Sequence, residues 1–349
     1  MKYQAYKTRF LTSFVVAILM FALGASAQKQ MPEKKGKDKH KGIDSTQLLK
    51  DVKYLSSDEL QGRESGTPEN RIARQYVLER FIKLRVPSIG RTHLQEFTFE
   101  TRAKKKIEAA NVIGYVRGKK NPKKYIVITA HYDHVGVRRG EIYNGADDNA
   151  SGTAALMAFA SYFKQFPPNN TIVFVALDAE EMGLQGARYF VDNLPTKQED
   201  ILLNINMDMI SRNDKNELYV AGLFHYPKLK PFIDAIQKKA KVKLPYGHDR
   251  PELKSNDWTF SSDHGPFHRK KIPFIYFGVE DHKDYHKPSD MYENIQPKFY
   301  VNAVETILMA IKSIDKKYKV KEKYKGKDKD KEKRKGDDKD KDHKKENGS

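Results

Sequence analysis

The sequence predicts an α/β fold with a mixed, mostly parallel central sheet that is flanked by helices on both faces. Two continuous apolar segments, residues 125–130 and 171–177, are typical of strands that are buried on both sides. Strand and helix patterns alternate after residue 110, as they do in βαβ units. Histidine and carboxylate residues follow directly after the strands, which is where such sheets place their ligands.

Two helices are predicted before the sheet, because apolar residues recur at helical spacing through residues 44–86. The second helix is predicted at residues 71–84, with Ile72, Tyr76 and Phe81 facing the core. A short loop separates the two helices.

The remaining elements follow in order to residue 314. Strands are predicted at residues 93–101, 111–117, 125–130, 171–177, 201–210 and 272–277. Helices are predicted at residues 151–166, 183–194, 228–241 and 297–314. The pattern contains neither an internal repeat nor a glycine-rich phosphate-binding loop.

The amino terminus is typical of an exported protein. Residues 1–27 combine a basic start, an apolar run and a small-x-small cleavage site, which predicts a secretory signal peptide. The other interpretation is a membrane anchor, but the apolar run is short for a span of about 20 residues. We therefore expect a periplasmic, extracellular or cell-surface-associated protein that has no transmembrane segment after cleavage.

The net charge of +19 is concentrated outside the predicted domain. Residues 28–42 form a basic linker and residues 316–349 a tail rich in Lys, Asp and Glu, and both are predicted to be disordered because they contain few apolar residues. The tails are expected either to contact an anionic surface or to be solvated without a specific partner. They lack the interleaved aromatic residues that would predict single-strand nucleic-acid binding, so no specific nucleic acid is expected.

Acidic and imidazole side chains recur at the ends of three predicted strands. His131, Asp178 and Asp208 each end a different strand, so we expect them at one edge of the sheet. Asp133 is two residues after His131; in extended structure both side chains point to the same side, and Asp133 can orient the imidazole. Each residue alone has an ordinary structural explanation, such as a cap or a turn. Their convergence predicts a site.

Three more segments offer metal ligands. Asp148 lies just before a predicted helix, where a carboxylate can bridge two cations. Glu180 and Glu181 are adjacent, so they must point differently: one can bind a metal while the other faces a water molecule. His286 follows the last predicted strand. Imidazole and carboxylate groups are common zinc ligands.

Taken together, these motifs resemble the secreted bacterial zinc aminopeptidases, dinuclear zinc exopeptidases that are related to glutamate carboxypeptidase and glutaminyl cyclase. The ordered motifs are H-x-D, G-A-D-D-N-A-S-G, D-A-E-E-M-G, N-M-D-M-I and H-x-x-x-D, and the resemblance covers about residues 45–314. It implies the zinc-dependent exopeptidase fold, with the zinc peptidase domain at residues 43–315.

The resemblance implies two Zn²⁺ ions per chain. His131 and Asp208 are expected to bind one ion, Glu181 and His286 to bind the other, and Asp148 to bridge them. Because the sequence contains no cysteine, we expect the stability of this exported protein to come from core burial and metal binding rather than from disulfides.

The resemblance also implies roles for residues around the ligands. Glu180 is expected to be the general base, and a cis peptide bond is expected after Asp148. The expected supporting residues are Asp133, Asp263 and Asp290. His134 is interpreted as incidental, and His282 is set aside because the spacing to Asp290 favours His286 as the ligand.

The predicted activity is hydrolysis of N-terminal residues from peptides with a free amino terminus, through a metal-bridging water that Glu180 activates. Alternatives on the same fold are a glutaminyl cyclase, which uses one zinc, and a carboxypeptidase or dipeptidase. An alternative of another class is a non-catalytic surface-binding protein that uses its basic tails. The specificity pocket is not readable from the sequence. The aromatic candidates for its lining are Phe267, Tyr276 and Tyr285, although aromatic residues near a sheet edge more often pack in the core.

Overall fold

The structure, a computed structural model, describes residues 42–318. The predicted signal peptide and nearly all of the two basic segments lie outside this range, so those assignments stay predictions. Within residues 42–318, no helix is both long and apolar enough to cross a membrane.

A seven-stranded mixed sheet forms the centre of the fold, in the order β1-β2-β6-β3-β7-β9-β8. Its strands are β1 (Leu94–Glu100), β2 (Lys106–Val116), β3 (Asn121–His131), β6 (Asn170–Leu177), β7 (Ile201–Met207), β8 (Tyr219–Ala221) and β9 (Phe274–Gly278). The central strands β6, β3, β7 and β9 are parallel, whereas β1, β2 and β8 pair antiparallel at the two edges. A separate hairpin consists of β4 (Gly136–Arg138) and β5 (Glu141–Tyr143).

Seven α-helices surround the sheet in the described part of the chain. They are α1 (Ser45–Leu55), α2 (Pro68–Lys83), α3 (Gly152–Gln165), α4 (Gln185–Asp192), α5 (Lys230–Gln237), α6 (His264–Arg269) and α7 (Pro297–Lys317). Successive side chains of β3 alternate between two cores: Ile126 and Ile128 pack in the larger one, and Val127 packs in the smaller one. The larger core includes residues of α1, α2, α3, α5 and α7, and the smaller core includes residues of α4 and α6. The prediction that helices flank both faces of the sheet is thus confirmed.

The buried face of helix α2 differs from the predicted one. It begins at Pro68, directly after Thr67, whose side chain accepts a hydrogen bond from the Asn70 amide at 3.1 Å. Phe81 is buried as predicted, but Ile72 is 43% exposed. The buried face instead includes Ala73, because one residue along a helix turns the side chain by about 100°.

The strand ends deliver the polar residues to one edge of the sheet. His131 is the last residue of β3, and Asp208 directly follows β7. Residues 180 and 181 lie in the loop after β6, and Asp148 lies in a short helical turn, Ala146–Ser151, that leads into α3. His286 lies in the loop between β9 and α7. The topology therefore gathers side chains from five separate segments.

Candidate metal centre

Asp148 lies between two groups of histidine and carboxylate side chains. Its Oδ1 is 3.3 Å from His131 Nε2, and its Oδ2 is 3.1 Å from His286 Nε2. The two oxygens therefore face different groups. This is the arrangement expected of a carboxylate that bridges two cations.

His131, Asp148 and Asp208 form the first group. His131 Nε2 is 3.3 Å from Asp208 Oδ1, and ligand atoms of all three residues lie within 4.8 Å of one another. Asp208 Oδ2 accepts a hydrogen bond from Ser262 Oγ at 2.7 Å, which leaves Oδ1 directed at the imidazole. Donor atoms about 2.0–2.1 Å from a tetrahedral zinc lie roughly 3.3 Å apart. The observed spacing fits such an ion.

Glu181 and His286 form the second group, on the other side of Asp148. His286 Nε2 is 3.4 Å from Glu181 Oε2. His134 also lies here: its Nδ1 is 2.9 Å from Glu181 Oε1 and 3.7 Å from Asp148 Oδ2. His134, which was interpreted as incidental, therefore lies within the second group. A signal for it was present as a second imidazole within H-x-D-H, but the turn that directs it inward is not visible in the spacing.

The pKa shifts in this cluster indicate a site that attracts positive charge. Burial lowers the pKa of His131, but Asp208 and Glu180 outweigh burial and raise it well above the usual value. Burial likewise opposes the protonation of His286, and its hydrogen bonds to Asp148 and Glu181 outweigh it and raise its pKa to about 10. Burial acts to raise the pKa of Asp148, whereas His134 and His131 hold it well below its usual range. Protonated imidazoles thus stand where cations would bind.

Glu180 points into the same region without joining either group. Burial raises its pKa well above that of an ordinary glutamate, although His131 acts in the opposite direction. Its side chain lines a cavity of about 180 Å³ that Asp148, Asp208 and His286 also line. A carboxyl group in this position can exchange a proton with a small molecule in the cavity.

Asp133 holds both neighbouring segments. His131 Nδ1 contacts the main-chain oxygen of Asp133 at 3.1 Å, whereas the Asp133 carboxylate is 3.6 Å away, so the backbone rather than the carboxylate holds the imidazole. The carboxylate instead accepts hydrogen bonds from the amides of Glu180 at 3.1 Å and Glu181 at 3.3 Å. It therefore fixes the directions of the two glutamates, which sequence reasoning did not foresee.

Asp290 supports the loop that carries Asp148. It accepts hydrogen bonds from the amides of Asp147 at 2.9 Å and Asp148 at 3.0 Å, and burial together with the Asp147 charge raises its pKa to about 6. His282 Nε2 is 2.9 Å from Asp147 Oδ2 and belongs to neither metal group. The peptide bond between Asp148 and Asn149 is cis, as the resemblance implies.

Asp263 is buried beside the first group rather than exposed to the cavity. Neither of its oxygens has a hydrogen-bond partner among residues 42–318. Burial raises its pKa to about 8, and Asp208 contributes in the same direction. The next residue, His264, contacts the Trp258 carbonyl through Nε2 at 2.7 Å, and burial lowers its pKa to about 3. Both side chains are therefore mainly uncharged at neutral pH.

Two of the three predicted pocket residues line the cavity. Tyr276 and Tyr285 do so, whereas Phe267 is fully buried in the smaller core against Phe190, with ring centroids 5.8 Å apart. Trp258 lines the cavity as well and stacks on His248 at a centroid distance of 3.6 Å. The sequence carries no pattern that would have placed this tryptophan here. A larger cavity of about 370 Å³ lies between α4 and α6 and contains none of the candidate residues.

Arg63 ties the loops of the site together. It is fully buried, and its guanidinium donates to the carbonyls of Tyr132 at 2.8 Å, Asn144 at 2.6 Å and Gly145 at 3.0 Å. It also donates to the Leu55 carbonyl at the end of α1. These carbonyls flank the segments that carry the H-x-D motif and Asp148, so one side chain fixes both segments relative to α1.

Replacing Arg63 is expected to destabilise the metal-free protein strongly. In Arg63→Met, four buried carbonyls lose their donor, so we expect the free energy of unfolding to fall by about 3–5 kcal/mol. Urea unfolding followed by circular dichroism measures this. The control is Arg138→Met, since Arg138 forms a partly exposed pair with Glu64 and its loss should cost less than about 1 kcal/mol. Equal stability of the two variants would show that Arg63 does not hold the loops.

Comparison with sequences of known proteins identifies one peptidase family. The family model described as "Peptidase family M28" matches residues 111–311. Aminopeptidase YwaD of Bacillus subtilis (strain 168) is 32% identical over 239 residues, which are 65% of this chain and 50% of that protein. The chain thus spans about half the length of this curated relative.

Comparison with solved structures agrees with the fold. A Zn-dependent exopeptidase from Parabacteroides distasonis has a TM-score of 0.63 and 17% identity, covering 78% of this chain and 98% of that one. A glutaminyl cyclase from Bacteroides thetaiotaomicron has a TM-score of 0.62 and 18% identity, covering 77% of this chain and 97% of that one. At these identities the likeness concerns the fold alone, and it confirms the predicted fold class.

Proposed function

Because the chain belongs to peptidase family M28, a metallopeptidase family, we propose that it is a zinc-dependent aminopeptidase that removes N-terminal residues from peptides. The observation that carries the proposal is the position of Asp148. Its two oxygens face two separate groups of ligands at the floor of one cavity, with Glu180 beside them. This arrangement suits two cations that act on one substrate.

We propose two zinc ions per chain. His131 and Asp208 would hold one, Glu181 and His286 would hold the other, and Asp148 would contribute one oxygen to each. Glu181 Oε1 is buried and lies 2.9 Å from His134 Nδ1 without hydrogen-bond geometry, so a cation there would satisfy it. When bound, the zinc ions polarise the scissile carbonyl and lower the pKa of water.

Glu180 would move the proton. It takes a proton from the attacking water and then passes it to the nitrogen of the leaving amine. A raised pKa suits this task, since a base works best when its pKa lies near the working pH. Asp133 holds the Glu180 and Glu181 amides, so the base and the adjacent ligand keep separate directions.

The charge of the cavity favours a free amino terminus. Glu180 and Asp281 line it in addition to the proposed ligands, and no lysine or arginine of the described residues does. An ammonium group can pair with these carboxylates, whereas a substrate carboxylate finds no lysine or arginine there to pair with. This supports an aminopeptidase over a carboxypeptidase. The aromatic side chains of Trp258, Tyr276 and Tyr285 offer apolar contact to the terminal residue.

The second candidate is a glutaminyl cyclase. The similarity of the fold to that of a glutaminyl cyclase favours it. For this activity we would expect a single zinc ion per chain. A second group of possible ligands, which contains Asp148 and Glu181, lies beside the first group of His131, Asp148 and Asp208 and favours two ions instead.

A substrate panel with metal analysis tests the proposal. Mature protein, residues 28–349, is expected to hydrolyse aminoacyl-p-nitroanilides, to lose activity on chelation and to regain it with zinc. N-acetylated substrates are expected to resist cleavage, and N-terminal glutaminyl peptides to be hydrolysed rather than cyclised. Activity that is indifferent to chelation, or equal on blocked and free substrates, would reject the proposal.

We also propose that the protein is exported and that its basic tail contacts an anionic surface. The support is the sequence of residues 1–27 and the charge of residues 316–349. Deleting residues 316–349 should release the protein from the cell surface without changing hydrolysis. Unchanged retention would leave the tail as a solvated segment.

A further inference from the structure

His134 is a buried histidine at the metal centre for which the ligand set proposed above has no use. Its side chain is 0% exposed, and neither ring nitrogen has a hydrogen-bond partner among residues 42–318. It lies instead among carboxylates, which an imidazole can contact either as a cation or through a shared metal ion. Its nearest charged atoms are Glu181 Oε1 at 2.9 Å and Asp148 Oδ2 at 3.7 Å, both from its Nδ1.

Other histidines near the centre have partners of their own. His282 pairs with Asp147, and His264 contacts the Trp258 carbonyl. By contrast, His134 Nδ1 faces the same two carboxylates as His286 Nε2, and the centroids of the two rings are 5.9 Å apart. Both imidazoles therefore direct a nitrogen at one small volume.

The spacing of the donor atoms matches one ion. Distances from the two histidine nitrogens to the oxygens of Asp148 and Glu181 run from 2.9 to 3.7 Å. These values bracket the roughly 3.3 Å between donors of a tetrahedral zinc. Gly145 packs closely against the His134 ring, since a Cβ at Gly145 would lie 2.5 Å from ring atoms.

We propose that His134 is a further ligand, through Nδ1, of the metal ion held by Glu181 and His286. This inference rests on the proposed dinuclear centre and adds a property to it. The second position then has two imidazoles, whereas the first has one. The second position also has four protein donors against three, so it should bind zinc more tightly and fill first.

The test is a titration of metal-free mature protein with Zn²⁺ in competition with a chromogenic chelator. The wild type should bind two ions in separate steps. His134→Gln should weaken the tighter step by more than about 100-fold, beyond the usual cost of losing an outer hydrogen-bond partner. His286→Gln should weaken the same step. The matched control is His93→Gln, because His93 contacts only the Val86 carbonyl among described hydrogen bonds and should leave both steps unchanged.

Cobalt separates a ligand from a residue that merely positions Glu181. With one equivalent of Co²⁺, His134→Gln should change the visible absorption spectrum, which reports the donor set. Weaker binding with an unchanged spectrum would overturn the proposal and assign His134 to positioning. If His134→Gln fails to fold, scalar coupling between cadmium and the His134 ring protons in the wild type decides the question. Absence of that coupling overturns the proposal.

The outcomes separate this inference from the proposed function. Two bound zinc ions with unchanged affinity and spectrum in His134→Gln would reject the His134 ligand and leave the aminopeptidase proposal standing. A wild-type protein that binds no zinc would reject both.

Discussion

Glu180→Gln is expected to retain two zinc ions and a native fold while losing turnover by about 10²–10⁴-fold, the usual contribution of a general base. The amide keeps the shape of the side chain but cannot accept the proton. Because burial raises the pKa of Glu180, the folded protein carries a free-energy cost for its ionisation, so the neutral amide should not lower stability. Steady-state kinetics, zinc analysis and urea unfolding of one preparation measure all three properties.

The adjacent glutamate provides the matched control. Glu181→Gln removes a proposed ligand, so it should lose zinc as well as activity. Comparing the two variants therefore shows which of these neighbouring residues is the base and which is the metal ligand. If Glu180→Gln keeps a near-native rate, Glu180 is not the base; if it loses zinc, the two roles are assigned the wrong way round.

The pH dependence of the wild-type rate follows from the same group. A base must be ionised to accept a proton, so the rate should rise with pH through the pKa of Glu180. Burial acts to raise that pKa in the metal-free protein, and the positive charge of bound zinc acts to lower it. An acidic limb that persists unchanged in Glu180→Gln would contradict the assignment.

Asp148→Asn is expected to abolish binding of both zinc ions, because each oxygen of Asp148 faces a different group. A single substitution at an unshared ligand, such as Asp208→Asn, should weaken one position only. Zinc at 100 times its dissociation constant stabilises a folded protein by about 2.7 kcal/mol. Wild-type unfolding should therefore shift with zinc, and that of Asp148→Asn should not. Zinc content after dialysis and urea unfolding with and without zinc measure both effects.

An exposed aspartate serves as the control for this variant. Asp234 pairs with Lys230 on the surface of α5, and Asp234→Asn should bind two zinc ions with normal affinity. Retention of both ions by Asp148→Asn would mean that Asp148 does not bridge.

Much of the fold was predictable because the central strands contain long apolar runs. Residues 170–177 are buried throughout, as expected of a strand that is covered on both faces. Ile72 was misplaced because α2 begins at Pro68 and its buried face includes a polar residue, Asn70. Apolar periodicity alone cannot identify the buried face of a helix when that face is partly polar.

The candidate site was predictable to the extent that strand ends determine it. His131 and Asp208 follow directly from the strand pattern, whereas the resemblance supplied the division between Glu180 and Glu181. His134 was missed because its direction depends on a turn after β3 and on contact with Gly145, and neither is encoded in spacing. Phe267, Tyr276 and Tyr285 could not be divided between pocket and core from the sequence, because an aromatic residue near a sheet edge fits either place.

The most direct test is the zinc content of mature protein that is active on free but not on N-blocked peptides. We predict two zinc ions per chain, with activity lost as they are removed and restored as they return. One zinc ion per fully active chain, or full activity without zinc, would contradict a dinuclear aminopeptidase.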